Sequence, residues 1–310
     1  KKIINSISKS VKATTSPILI LLFVGALAGT WLISGIIPAM IYYGLQIFNP
    51  LFFLPACVII CAIISISTGS SWTTSATIGI AMIGIGKAME INTGIVAGAI
   101  ISGGYFGDKL SPLSDTTNLA AAMANSNLFN HIRYMALTTV PSIIIGLLFF
   151  MFIGFFQVNT EEIDNKFLVN SIEEKFFISP VLFFVPIIVI VMILKKTPPL
   201  IALMAGTILA ALFALTFQKN IILELTDSNK LTLNSAYRGI IDAITIETSI
   251  KSTNEILSEL FKSGGMKGML GTIWLIICAM VFGGVMDAIG ALKKISEKLL
   301  EKAENTFQLI

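Results

Sequence analysis

The stretch SGGYFGDKLSPLSDTTNLA, residues 102–120, decides how this chain is read, because it sets a dense polar run between long apolar segments. Asp108, Lys109, Ser111, Ser114, Asp115, Thr116, Thr117 and Asn118 crowd together there. Upstream, TGSSWTTS at residues 68–75 makes a second polar interruption of the same kind. If both lie at membrane depth, every exposed amide and each carboxylate needs a partner from the protein, since lipid offers none. An acid kept at that cost marks an ion or substrate site.

The 310 residues are 55% hydrophobic and only 13% charged, with a mean hydropathy of +0.87. A soluble domain carries about 25% charge, and apolar runs near the length of a membrane span recur along the chain. The composition therefore predicts an all-α polytopic membrane protein. The net charge of +3 does not point to nucleic acid, because the lysines stand at segment ends, where they orient membrane proteins, and form no stripe. Membrane lipid is the expected surrounding partner, and a homodimer is among the assemblies this reading allows. Cys57, Cys61 and Cys278 fall within apolar spans and read as small buried hydrophobes, with no cofactor implied. Lys1 to Lys12 has no apolar stretch ahead of a small-residue cleavage site, so it is not a signal peptide, and the chain is expected to begin inside a longer protein.

In chain order, lysines at 1, 2, 9 and 12 precede a first span from about Pro17 to Gly35, which argues for a cytoplasmic start. Pro38 to Phe48, with Tyr42 and Tyr43, reads as a short interfacial helix. Pro50 to Ser67 is a second span, broken at Thr68 to Ser71 and continued from Trp72 to Ala88; Ile91 to Gly107 is the next apolar piece, ending where the Asp108 to Asn118 break begins. A helix from Leu128 to Phe156, expected to kink at Pro141, closes a first transmembrane repeat over residues 1–157. Residues 158–176 are acidic and read as an extracytoplasmic loop; 177–235 hold connecting spans at Phe176 to Leu194 and Pro198 to Phe217. Residues 236–310 read as the start of a second repeat, an amphipathic helix from Ala236 to Phe261 with Tyr237, Ile240, Ile241 and Ile244 on its apolar face, then a last span from Gly271 to Ile289.

Gly29 to Gly35 overlays Gly284 to Gly290 at an offset of 255 residues, and the lysines make the two spans run in opposite directions. Oppositely directed repeats with discontinuous helices characterise inverted-repeat secondary transporters. At that offset the counterpart of Thr68 to Ser71 falls past Ile310, so the second repeat is expected to be truncated.

A hard cation such as Na+ takes oxygen ligands from carboxylates, hydroxyls and freed helix-end carbonyls. Asp108 and Asp115 would stack on one face of a continuous helix, but Pro112 argues against continuity and leaves both carboxylates on an unwound segment able to converge on one ion. The candidate ligands are Asp108, Asp115, Ser114, Thr116, Thr117 and Asn118 from one break and Thr68, Ser70, Ser71, Thr73 and Thr74 from the other. Lys109 either neutralises Asp108 or reaches for the membrane surface. The bland alternatives stand beside these: the second run is also an ordinary turn and helix cap, and the first could merely pack helices. His131 reads as a residue at the cytoplasmic mouth, and Asp287 is left open between an interfacial acid and a coupling residue. An intramembrane protease is disfavoured, because Gly69-Ser70-Ser71-Trp72-Thr73 is no nucleophile elbow and Tyr105 stands where an aspartyl motif would need glycine. A channel lined by the same residues is separated from a carrier by saturable exchange.

TGSSWTTSATIGIA (68–81), GDKLSPLSDTTNLA (107–120) and HIR (131–133) closely resemble the NhaC family of Na+/H+ antiporters, within the larger ion-transporter superfamily. WLISGIIPAMIYYG (31–44) and WLIICAMVFGGV (274–285) resemble it too, so the likeness covers most of the chain. It implies a multi-pass protein of the cell membrane, not an enzyme, that exchanges Na+ for H+ with Asp108, Asp115 and the neighbouring Ser, Thr and Asn residues in the conduction site. The family's further acidic, hydroxyl-rich break has no match here. Malate/lactate exchangers share these motifs and supply the rival reading, in which helix N-termini near Ser70, Ser71 and Thr73 hold a carboxylate.

Overall fold

The computed structural model describes residues 2–123, 126–157, 165–252 and 255–302. Helices make up nearly all of it, and five of those described are long and apolar enough to cross a membrane: Lys2–Ile33, Pro50–Thr68, Leu128–Phe156, Pro199–Phe217 and Leu270–Ala288. A sixth is added if Leu168–Lys175 and Pro180–Leu194, bent by 84°, count as one span. The molecule is a polytopic α-helical membrane protein.

The chain opens with α1 (Lys2–Ala13) and α2 (Thr15–Ile33), then α3 (Ile36–Ile47) and α4 (Pro50–Thr68). Helix α3 was expected at an interface but lies in the core, with Ile36, Ile37, Met40 and Ile41 all buried. Its apolar residues surround the helix on most sides, which is the pattern of a buried element. After α4 come α5 (Ser71–Thr74), a π turn (Ser75–Gly79) and α6 (Ile80–Ala88), which carry the chain back. Helix α7 (Thr93–Leu110) then runs parallel to α4, as the facing residues show: Gly103 meets the Val58 carbonyl and Gly107 the Ala62 carbonyl. Any larger side chain at either glycine would collide with backbone, so the seam depends on their lacking a Cβ. Trp31, Leu27, Phe53, Leu54, Cys57 and Ile85 fill the core between α2, α4 and α6.

Helices α8 (Asp115–Met123) and α9 (Leu128–Gln157) follow. Only 11% of the apolar window in Leu128–Phe156 is buried, against 50% in Lys2–Ile33, so α9 lies at the periphery as a lipid-wrapped helix does. Residues 158–164 lie outside the described part; beyond them, the stretch expected to be loop is helix α10 (Asn165–Lys175). It forms because Leu168 and Ile172, one turn apart, drop into the core at 3% and 0% exposure, while Lys175 pairs with Glu224 at 2.7 Å. Ser179 and Pro180 then break the helix, so the expected span from Phe176 is bent and resumes as a 3-10 turn and α11 (Phe184–Leu194).

Helices α12 (Pro199–Phe217), α13 (Lys219–Leu225) and α14 (Leu233–Thr245) lead to the largest departure from expectation. The long amphipathic helix anticipated from Ala236 to Phe261 ends at Thr245. Strands β1 (Thr248–Ser249) and β2 (Lys262–Ser263) pair antiparallel around α15 (Glu255–Leu260). β-branched Ile246 and Thr248 take the extended backbone that follows, and Phe261, fully buried against Phe176 at 4.9 Å, anchors the return. The packed face of α14 is also not the aliphatic one: Ser235, Gly239 and Ala243 are buried and Tyr237 is exposed. Small side chains let α14 approach α2, where Gly29 lies on the Ala243 carbonyl. A short α16 (Gly265–Gly268), α17 (Leu270–Ala288) and α18 (Ala291–Lys302) finish the described chain. Cys57 and Cys61 are buried as expected, but Cys278 on α17 is exposed.

Replacing Gly107 by valine should lower the stability of the detergent-solubilised protein by about 2 kcal/mol or more, because the neighbour it strikes is backbone. Gly98→Ala, which meets only Phe150 at 3.8 Å, is the control and should melt with the parent. Equal melting of the two variants would refute the seam.

Candidate functional site

Each polar interruption becomes a sharp chain reversal. Helix α4 stops at Thr68 because Gly69 takes a left-handed backbone (φ 69), and its missing Cβ leaves room for the Leu113 backbone, which would stand 2.6 Å from one. Ser70 is extended and caps the next helix, its Oγ accepting from the Thr73 amide at 3.2 Å. In the second interruption the helix persists through Asp108 and Lys109 to Leu110. The unwound piece is only Ser111 to Ser114, and Asp108 is therefore helical, not on the broken segment as expected. Pro112 excludes the α conformation at Ser111 but leaves the turn before it intact. Ser114 Oγ accepts from the Thr117 amide at 3.3 Å, so a new helix begins at Asp115.

The two reversals meet. Ser71 Oγ donates to Asp108 Oδ2 at 3.2 Å, Ser111 Oγ to the Ile66 carbonyl at 2.7 Å, and Ser65 Oγ to the Gly104 carbonyl at 2.6 Å. Thr117 Oγ1 donates to the carbonyls of Asp108 and Lys109 at 3.3 and 3.2 Å, and Asn118 Nδ2 to those of Pro112 and Ser114 at 2.9 and 2.8 Å. Carbonyls near the ends of α4 and α7 thus find hydroxyl and amide donors within the site.

Beside this junction opens a cleft of about 660 Å3. Of the residues anticipated from sequence, Thr68, Ser70, Asp108, Ser114, Thr116 and Asn118 line it. Ser71, Thr73, Thr74 and Thr117 are buried behind its wall. Thr73 is bonded to Ser70 Oγ and Thr74 to the Ser70 carbonyl, both at 3.0 Å, so these hydroxyls position the turn. Asp115 starts α8, but its side chain lies outside the described part. Lys109 is exposed and does not line the cleft; nor does His131. Asp287 accepts from Ser6 Oγ at 2.9 Å, tying α17 to α1.

The opposite wall was missed. It consists of Ser16, Ile20, Ile193, Lys196, Thr197, Pro198 and Pro199 from the start of α2 and the turn between α11 and α12. Lys195 and Lys196, at the end of a span, read from sequence only as an orientation signal, and nothing in their spacing shows that Lys196 alone borders this cavity. The bonds of Ser65 and Ser111 were also unreadable, since each depends on a residue about forty positions away.

Residues 103–310 match the profile of a family described as the Na+/H+ antiporter family. The chain is 38% identical to the malate-2H+/Na+-lactate antiporter of Bacillus subtilis, over 98% of this chain and 63% of that protein. It is 34% identical to the Na+/H+ antiporter NhaC of Alkalihalophilus pseudofirmus, over 97% of this chain and 62% of that one. An uncharacterized Na+/H+ antiporter of Haemophilus influenzae is 36% identical over 99% and 64%. The chain thus spans less than two thirds of the length of these relatives. No solved structure matches it.

Ser111→Ala should destabilise the protein by about 1 kcal/mol, the cost of removing the part-buried bond to the Ile66 carbonyl. Thermal unfolding in detergent measures it, and parent-like melting would show that the two reversals do not depend on this bond.

Proposed function

The chain belongs to the Na+/H+ antiporter family, and from that footing we propose that the protein exchanges Na+ for H+ across the cell membrane, with the oxygens of Asp108, assisted by Asp115, holding either cation in turn. The observation that carries the reading is the junction of the two reversals. It sets a carboxylate, hydrogen-bonded by Ser71 at 3.2 Å, on the wall of a cleft that Ser70, Thr68, Ser114, Thr116 and Asn118 also line. Hydroxyl, amide and carboxylate oxygens are what a hard monovalent cation selects. A carboxylate that exchanges a proton for that cation on the same atoms needs no further chemistry, so the protein acts as a carrier and not as an enzyme.

An inverted repeat with discontinuous helices is part of the same proposal. Shifted by 255 residues, Thr15–Ile33 falls on Leu270–Ala288 at both ends, and Ile36–Ile47 falls on Ala291–Lys302. Gly35 and Gly290, which follow the paired helices, are both left-handed, at φ 79 and 73. Helix α17 also runs back along α1 and α2: Met269 lies beside Gly25, while Gly284 lies beside Ile7. Opposed direction at matched boundaries supports the repeat.

A second reading, exchange of an organic acid such as malate or lactate, is favoured by two observations. A relative at 38% identity carries that description, and a cleft of about 660 Å3 is within the range of small-molecule sites and far above what one ion fills.

The test is Na+-evoked dequenching of a pH-sensitive dye in vesicles containing the full-length protein. Asp108→Asn should slow exchange at least about tenfold, equivalent to about 1.4 kcal/mol, and Asp115→Asn should also impair it. Both variants running at the parent rate would remove the site assignment. A signal driven by malate or lactate but not by Na+ alone would favour the second reading.

A further inference from the structure

The cleft that Asp108 lines is also bordered by an amino group, that of Lys196. Lys196 follows the end of α11, where its amide donates to the Ile193 carbonyl at 2.8 Å and the Thr197 amide to the Met192 carbonyl at 3.0 Å. That pair of bonds closes a helix whose terminal left-handed position is ordinarily glycine. Here it is lysine, at φ 63. Glu90 and Asp227 end α6 and α13 with the same pair of bonds, at φ 56 and 47, so such a cap bears on function only where its side chain borders a candidate site. Lys196 borders one: it lines the cleft that Asp108 lines.

Asp108 and Lys196 are the charged residues described on the cleft wall, and neither belongs to an ion pair among the described residues. Lys109 and Lys195, each next to one of them in sequence, are exposed and do not border the cleft. Lys196 is exposed, so solvent screens its ammonium in part, but bordering the same cleft it still repels a cation that settles at Asp108. For a carrier this is useful, because an ion must be held loosely enough to leave.

We propose that Lys196 is a tethered competitor cation that sets how tightly the cleft holds the ion it exchanges. The proposal rests on the reading of Asp108 as the carboxylate that binds that ion. It gives the positive charge of Lys196, not its bulk or its backbone, the decisive role.

Full-length parent, Lys196→Gly and Lys196→Arg are compared in vesicles by Na+-evoked proton movement over a range of Na+ concentrations. Glycine removes the charge and also suits the left-handed backbone, so this variant should melt no lower than the parent and its kinetics cannot be ascribed to damage. Lys196→Gly is expected to lower the apparent KM for Na+ by about three- to tenfold, with kcat unchanged or reduced, while Lys196→Arg keeps KM within about twofold because it keeps the charge. A parent-like or raised KM in Lys196→Gly overturns the proposal, as does a shift in Lys196→Arg equal to that in Lys196→Gly. If the parent itself moves no protons in response to Na+, the Na+/H+ reading fails and this role falls with it. An active parent with an indifferent Lys196→Gly removes the role of Lys196 alone.

Discussion

A helix that stops inside a low-dielectric bundle leaves carbonyls and amides that neither water nor lipid will satisfy. Two such stops occur here within a few dozen residues, and their deficits are met partly within each stop and partly across the junction. Ser111 serves a carbonyl of α4, Thr117 serves carbonyls at the end of α7, and Ser70 and Ser114 cap the helices that restart. The carboxylate of Asp108 is held by the same economy, since the hydroxyl that reaches it comes from the opposing turn. Polar composition at the breaks therefore has two roles at once: most hydroxyls keep the backbone folded, and a minority are left facing the cleft.

That division explains what could be read from the sequence and what could not. The breaks announced themselves, because Gly69 and Pro112 punctuate apolar runs in ways no continuous helix tolerates. The main spans were equally plain from their length and hydropathy. Which hydroxyls face the cleft was not legible, since Thr73, Thr74 and Thr117 look just like Thr68 and Thr116 until their partners are known. The helix α10 was hidden by an acidic flank, its two core contacts too few to outweigh the charges around them. The face of α14 was misjudged for an instructive reason: close packing selects small residues, Ala243 against α2 and Gly239 against Ile222 of α13, while the larger aliphatics that dominate a periodicity count stay at the margin.

The comparison with known antiporters adds what geometry alone does not supply, a reason to treat the cleft as a place of exchange. It also sharpens the question of cargo, because proteins with different described substrates stand at nearly equal distance from this chain. A scaffold that places one carboxylate beside a roomy, hydroxyl-lined space is compatible with either, and the choice then lies with side chains on the facing wall.

Backbones that touch at Gly103 and Gly107 leave no slack for one helix to slide along the other. The Asp108 side of the cleft is consequently a stiff block, in which the acid and the hydroxyl that steadies it must travel together. The facing wall comes from the start of α2 and the turn into α12, and α2 meets α4 further along through the side chains of Leu27 and Trp31 in the shared core. Whatever enters the cleft therefore meets, on that side, an acid and a hydroxyl whose spacing the packed helices hold constant.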